Sequence, residues 1–447
     1  MLCHPYTYAY NICTCLSKEK RGKKKDQKMG CAASVSMSVK KKKKNIPQVF
    51  FFVPPIRVPG ESNLMRSLKG MIPQDLSHKM TQLRSQIMFV AQDTGGSAIE
   101  ELQKALDEYL PLLIGLTKKE YGLQEVVEFS WKSLDGKQET CIANSCFELL
   151  SVLHMMALLT LMEASLKLMP KNSSSSGSGE MVVSPDGMSE AVDLLLKAAG
   201  YLDFCIQDVL GRLPPDIKDM LPEDLQEGVM EALLNQALAL GTEIQLGLAI
   251  GSQNATLSVK RRLACEQLAY YGQAHHCLSK GMNKYEDKKK LLLFIKWKYL
   301  QAKAAAYYYH GLMLDKGTEP SSHVSALSCF LAAEELVAES KKACLSFGLA
   351  DPITRAPPLW GVMKHLDKKI PETASKKFQM HGYLLDQEKG LRILPDLPEF
   401  QLSLKPDDYE LPDLNPAWDR ENWETIPGQR LKEHLEDSED ETKPAAK

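Results

Sequence analysis

Apolar residues recur at helical spacing along most of the chain. From Ser97, the run SAIEELQKALDEYLPLLIGL places Leu102, Leu106, Tyr109, Leu110 and Leu113 on one face of a helix. A second pattern runs from about Ile142 to Met169 and stops before Pro170. Helical periodicity returns over Ser189–Leu210, Glu223–Ile250, Thr256–Met282, Lys288–Leu314 and Ser322–Leu345. The breaks contain Pro214 and Pro215, Gly251 to Asn254, Asn283 to Asp287, and Thr318 to Pro320, which are helix stop and start signals. Long helices joined by short connections pack as antiparallel pairs, and pairs in series build a solenoid-like layer. No fixed repeat length emerges, which argues against a regular array of tetratricopeptide repeats. The predicted class is all-α.

Segments without helical period frame this body. Residues 1–44 are polar, basic and patternless, and the domain is expected to span 45–425, with an acidic disordered tail over 426–447. QVFFFVPPIRVPG, from Gln48 to Gly60, is too rich in proline for a long helix and predicts an extended apolar arm lying on the domain. The Ser/Gly stretch within 170–189 predicts a flexible loop between two helices. Beyond about Ala356 the periodicity is read as lost, and Pro395 to Gly428 predicts a second extended segment across the helices. The most apolar run, Leu149 to Met162, has fourteen residues with His154 inside; that is short for a membrane span and predicts a buried core helix.

Composition sharpens this picture in two places. The 447 residues carry 55 Lys+Arg against 57 Asp+Glu, yet residues 1–44 hold 12 of the basic residues and only 2 acidic ones. The basic head therefore points to an anionic surface, and its confinement to one end argues against nucleic-acid binding. The eleven cysteines are scattered, and Cys13 and Cys15 lack a partner pair at zinc-site spacing. With no continuous apolar leader in the first 17 residues, a reducing compartment is expected.

No catalytic constellation is found: phosphate-binding loop, nucleophile elbow, metalloprotease helix and dinucleotide turn are all missing. His275 and His276 are adjacent on a helix and point about 100° apart, so they cannot grip one metal from a single face. No enzyme activity, cofactor, metal or small-molecule substrate is expected. MGCAAS, Met29 to Ser34, fits the N-myristoylation pattern, with Gly30 as acceptor and Cys31 beside it for palmitoylation. Acylation requires Gly30 at a free N-terminus, so this reading expects translation to start at Met29. One myristoyl chain binds membranes marginally, and Lys40, Lys41, Lys42, Lys43 and Lys44 supply a second, electrostatic signal.

Four blocks then occur in order: FSWKSLDG (129–136), CFELLSVLHMMALLTLMEA (146–164), ACEQLAYYGQAHHCLS (264–279) and KWKYLQAKAAAYYYHGLML (296–314). Together they resemble the BRO-one domain family, to which Alix and Brox belong, and most of all its small plant members. The resemblance covers about Gln48 to Trp418. It implies a large, elongated, banana-shaped helical domain with a TPR-like core of helix pairs and extended arms. The function it implies is that of a non-enzymatic adaptor of the endosomal sorting (ESCRT) and multivesicular-body pathway, peripheral on the cytosolic leaflet of endosomal or plasma membranes. Such domains bind the C-terminal helix of an ESCRT-III subunit in a concave apolar groove. Aligning the AYYG block puts groove positions at Val259 and Leu263, which share a helix face, and a third at Leu246 on the preceding helix. The chain departs from the family pattern at His154 and Met155, where animal members have Phe-Asn, and in its Ser/Gly loop. The alternative reading is a helical scaffold that keeps the fold but not the groove and acts through its arms and acidic tail.

Overall fold

A computed structural model describes residues 49–170, 183–279, 288–351, 353, 361–387, 394–420 and 423. Gly30, Cys31 and Lys40 to Lys44 lie outside these residues, as do most of the Ser/Gly loop and the acidic tail. Among the described residues, nine long helices make up the body: α1 (Gln74–Thr94), α2 (Ile99–Thr117), α3 (Ser145–Lys167), α4 (Pro185–Phe204), α5 (Glu227–Gly251), α6 (Leu257–Ser279), α7 (Lys288–Leu314), α8 (Pro320–Leu349) and α9 (Gly361–Gln387). Along the chain most helices pack on their sequence neighbours, and α4 also packs on α5, which joins the N-terminal and C-terminal halves. The all-α class predicted from periodicity therefore holds.

Two helices were not anticipated. In α1 the buried positions Leu76, Met80, Leu83, Ile87 and Ala91 follow helical spacing, but Ser, Gln and Arg between them dilute the signal. In α9, Val362, Met363, Leu366, Ile370 and Ala374 form the buried stripe, and Pro371 sits inside the helix. The loss of periodicity read after Ala356 is corrected accordingly. The break from tandem helices comes instead between α2 and α3, where a small antiparallel sheet of order β1-β2-β3 intervenes (β1 Arg57–Pro59, β2 Phe129–Ser133, β3 Glu139–Ile142). Its register pairs Arg57 with Ser133 and Phe129 with Ile142. α3 consequently starts at Ser145, three residues later than its apolar pattern suggested, with Asn144 as N-cap accepting from the Cys146 backbone N–H at 2.8 Å. α4 begins at Pro185, capped by Ser184, so the loop ahead of it is shorter than read.

α3 is apolar on every side, and α5 nearly so; both pass a length and composition test for membrane crossing, with 78% and 67% of their most apolar windows buried. That burial is what a central core helix requires. The proline-rich arm packs as expected: Phe50 and Phe52 meet Phe294 and Phe347 at ring-centroid distances of 5.7 to 6.0 Å, and Gln236 on α5 donates to the Phe52 carbonyl at 2.8 Å. The second extended segment, 394–415, also lies along the helices. Asp407 N–H bonds to the Leu196 carbonyl, and Trp418 beyond it is fully buried.

A candidate partner surface on the fifth and sixth helices

The surface that the motifs single out is built on the α5–α6 pair. The N-terminal turns of α6 read LSVKRRLACEQ, and the apolar side chains Val259 and Leu263 stand one turn apart. Val259 is 45% exposed, beside the exposed Ser258 and Arg262 on the same turns. Leu263 is half-buried against a core of Ala264, Cys265, Phe330 and Leu366. Across the turn, Leu248 near the end of α5 is 44% exposed, while Ile250 and Leu257 are half-buried.

Leu246 is fully buried. It belongs to the core that α9 closes with Val362, Met363 and Leu366, so as the structure stands it supports the surface from beneath and does not line it. Its register was read from the α5–α6 turn, and α9, which covers it, was not foreseen. Leu248, two residues on, is the exposed apolar side chain that sequence reasoning missed; its only sequence signal was its place on the α5 face flanking the turn.

Buried polar contacts hold the two helices rigidly. Glu243 on α5 receives Lys298 of α7 at 2.6 Å and Gln267 of α6 at 3.2 Å, all three buried. Glu266 of α6 accepts from Arg262 at 2.6 Å and from the backbone N–H and hydroxyl of Ser403, both at 2.9 Å. One turn further, Tyr270 donates its hydroxyl to the Leu404 carbonyl at 2.6 Å. Burial, with the Glu266 charge nearby, pushes the Tyr270 phenol up to about 12. Residues 259, 263, 266 and 270 recur every three or four positions and share one stripe of α6. The extended segment at Ser403 and Leu404 occupies the far end of that stripe, while at the near end Val259 is exposed and Leu263 half-buried. Arg261 stacks over Phe400 with its guanidinium carbon 5.7 Å from the ring centre, which fixes where the segment arrives.

Nothing at this surface suggests bond-making chemistry. The Cys265 thiol is pushed up to about 11 by burial, which holds it as an unreactive core group. His275 stacks on Tyr299 at 6.1 Å, and burial lowers its pKa.

Comparison with known proteins identifies the family. The family model described as BRO1-like domain matches residues 69–376. The chain belongs to the BRO1-like domain family. Solved structures of this fold align over most of the chain. A Bro1 domain described in connection with endosomal targeting is 14% identical, covers 83% of this chain and 96% of its own, and superposes with a TM-score of 0.52. The ALIX BRO1–CHMP4C complex is 15% identical, covering 85% and 99% with a TM-score of 0.55. ALIX bound to a viral late-domain peptide, PYKEVTEDL, is 14% identical, covering 87% of this chain and 53% of that one at a TM-score of 0.56. No curated protein matches in sequence. At these identities the alignments establish the BRO1 fold, and the four sequence blocks fall within it.

Proposed function

We propose that this BRO1-like protein is a non-enzymatic, ESCRT-associated adaptor that binds the C-terminal helix of an ESCRT-III subunit on the α5–α6 surface. The observation that carries this reading is Val259, a 45% exposed aliphatic residue one turn from the half-buried Leu263 on α6. An amphipathic partner helix presents anchors at i, i+3 or i+4 and i+7, and two apolar positions a turn apart are the complement it needs. The solved complex of the ALIX BRO1 domain with CHMP4C, sharing this fold, supports that partner class. Leu263 and Val259 would contact the partner, Leu248 would extend the apolar strip, and Leu246 would back it from the core.

Gly30, Cys31 and the Lys40–Lys44 run would hold the adaptor on an anionic cytosolic leaflet, at endosomal or plasma membrane, once Met29 serves as the start. No nucleic acid enters this reading. The full burial of Leu246 favours a second one, a scaffold that keeps the fold without the groove.

The test is a titration of the full chain with a labelled C-terminal helix peptide of an ESCRT-III subunit. A charge placed in a desolvated apolar contact lacks a partner. Leu263→Asp and Val259→Asp should each weaken binding by about tenfold or more while leaving the circular dichroism unchanged. Absence of binding by the wild type, or binding by both variants as tight as that of the wild type, would favour the scaffold instead.

A further inference from the structure

Among the described residues, one group of His, Cys, Asp or Glu side chains converges closely enough to hold a metal ion: Asp315, His323 and His381. The three come from separate elements. Asp315 follows the last turn of α7, with its N–H bonded to the Gly311 carbonyl; His323 lies in the first turn of α8; His381 sits in the fourth quarter of α9. Their candidate ligand atoms all lie within 4.8 Å of one another. His323 Nδ1 is 3.5 Å from Asp315 Oδ1, and the two imidazole rings stack face to face, 4.4 Å apart and 3° from parallel.

A second observation concerns what the cluster leaves unsatisfied. His323 Nδ1 is enclosed and makes no hydrogen bond. The other carboxylate oxygen of Asp315 is held by Lys377 at 2.5 Å, a contact that orients the carboxylate and keeps Oδ1 towards the histidines. The side chains of Asp315 and His323 are only 15% and 22% exposed.

We propose that Asp315, His323 and His381 bind a divalent transition-metal ion of the zinc class. Two imidazoles and one carboxylate form a donor set that suits Zn²⁺, leaving one position for water. Tetrahedral zinc at about 2.0–2.2 Å from each ligand sets donor atoms about 3.3–3.6 Å apart, so side-chain rotations must draw the widest pair in by up to about 1.5 Å and must turn the parallel rings out of their stack until both ring planes contain the ion. The ion would tie the C-terminal quarter of α9 to the α7–α8 turn. That end of α9 is otherwise anchored by Leu384 packing on Val324 and Leu327. The inference rests on this cluster alone and does not depend on the partner surface.

The test uses the full chain, stripped with EDTA and dialysed, and titrated with Zn²⁺ by calorimetry beside His323→Ala, His381→Gln and the control His365→Ala on the exposed face of α9. Because the N-terminal cysteines can also take up zinc, the readout is the difference between proteins. The wild type and His365→Ala should bind one equivalent more than the two cluster variants. Zn²⁺ should raise the melting temperature of the wild type and not that of His381→Gln. Co²⁺ should give visible absorption without a thiolate charge-transfer band that disappears in the variants. Equal stoichiometry and equal thermal response across all four proteins would overturn the site. His381→Gln keeps the size of the side chain, and circular dichroism checks that it folds.

Discussion

The indole Nε1 of Trp131 donates to Glu148 Oε2 at 2.6 Å, joining the FSWKSLDG block on β2 to the CFELL block on α3. Glu148 is fully buried and also accepts from Arg84 Nε at 2.8 Å and the Tyr109 hydroxyl at 3.1 Å. Arg84 continues to the carbonyls of Gly60 and Ser130. One carboxylate thus fastens α1, α2, α3 and the sheet together. Burial works to lower the Arg84 pKa, but the charge of Glu148 beside it raises it on balance; burial and the same carboxylate push the Tyr109 phenol well up.

Removing one partner of such a network strands the others in the core. Glu148→Ala should destabilise the domain by about 3–5 kcal/mol, because Arg84 keeps a charge with nothing to balance it. Glu148→Gln keeps the shape but loses the charge and should also be strongly destabilising. Denaturant midpoints of the two variants check both, and a loss below about 1 kcal/mol would contradict the network's role.

Gly115 and Trp418 form a second long-range pair. A Cβ built on Gly115 would stand 1.9 Å from the Trp418 ring, which is fully buried and donates to the Leu112 carbonyl at 2.9 Å. Tyr121 donates to the Trp418 carbonyl at 2.9 Å and packs on its ring at 4.9 Å. Trp418→Ala should cost about 3–5 kcal/mol. Gly115→Val should expel the indole, and the double variant should be little worse than either alone. Additive losses in that cycle would show that the two sites act independently.

His154 predicts a pH dependence. Its imidazole is buried among Arg57, Trp131 and Met155, with Asp224 Oδ2 3.9 Å from Nδ1 and with Nε2 unbonded. Burial lowers its pKa below the ordinary value, Asp224 partly opposing and Arg57 adding to the effect. A depressed histidine contributes stability that is present above its unfolded pKa, about 6.5, and lost as pH falls below it. Unfolding free energy should therefore decline below about pH 6.5, less steeply in His154→Gln. Parallel pH profiles for the two proteins would remove His154 from the account.

Lipidation is checked on protein from its native cell. Intact-mass and peptide analysis should find an N-terminal myristoyl group on Gly30, and Gly30→Ala should shift the protein out of the membrane fraction. An unmodified Met1 terminus would dismiss the anchor. Replacing Lys40 to Lys44 by alanine should weaken binding to anionic vesicles by about 1 kcal/mol per lysine before screening, and added salt should narrow the gap.

Sequence by itself determined the helical class, the main helices from α2 to α8, the buried nature of Leu149 to Met162, and both extended segments. These are encoded by local periodicity and by proline, which act over a few residues. The family blocks were legible for the same reason that Trp131 and Glu148 matter: residues that fasten distant elements stand out as motifs. Tertiary structure alone decided that Leu246 is core while Val259 is surface. The two positions look alike in an apolar pattern, and only the gathering of α7, α8 and α9 into one core takes in Leu246 and leaves Val259 at the surface. It alone also gathered Asp315, His323 and His381, because a ligand set spread over two helices and the turn after a third has no spacing that a chain can display.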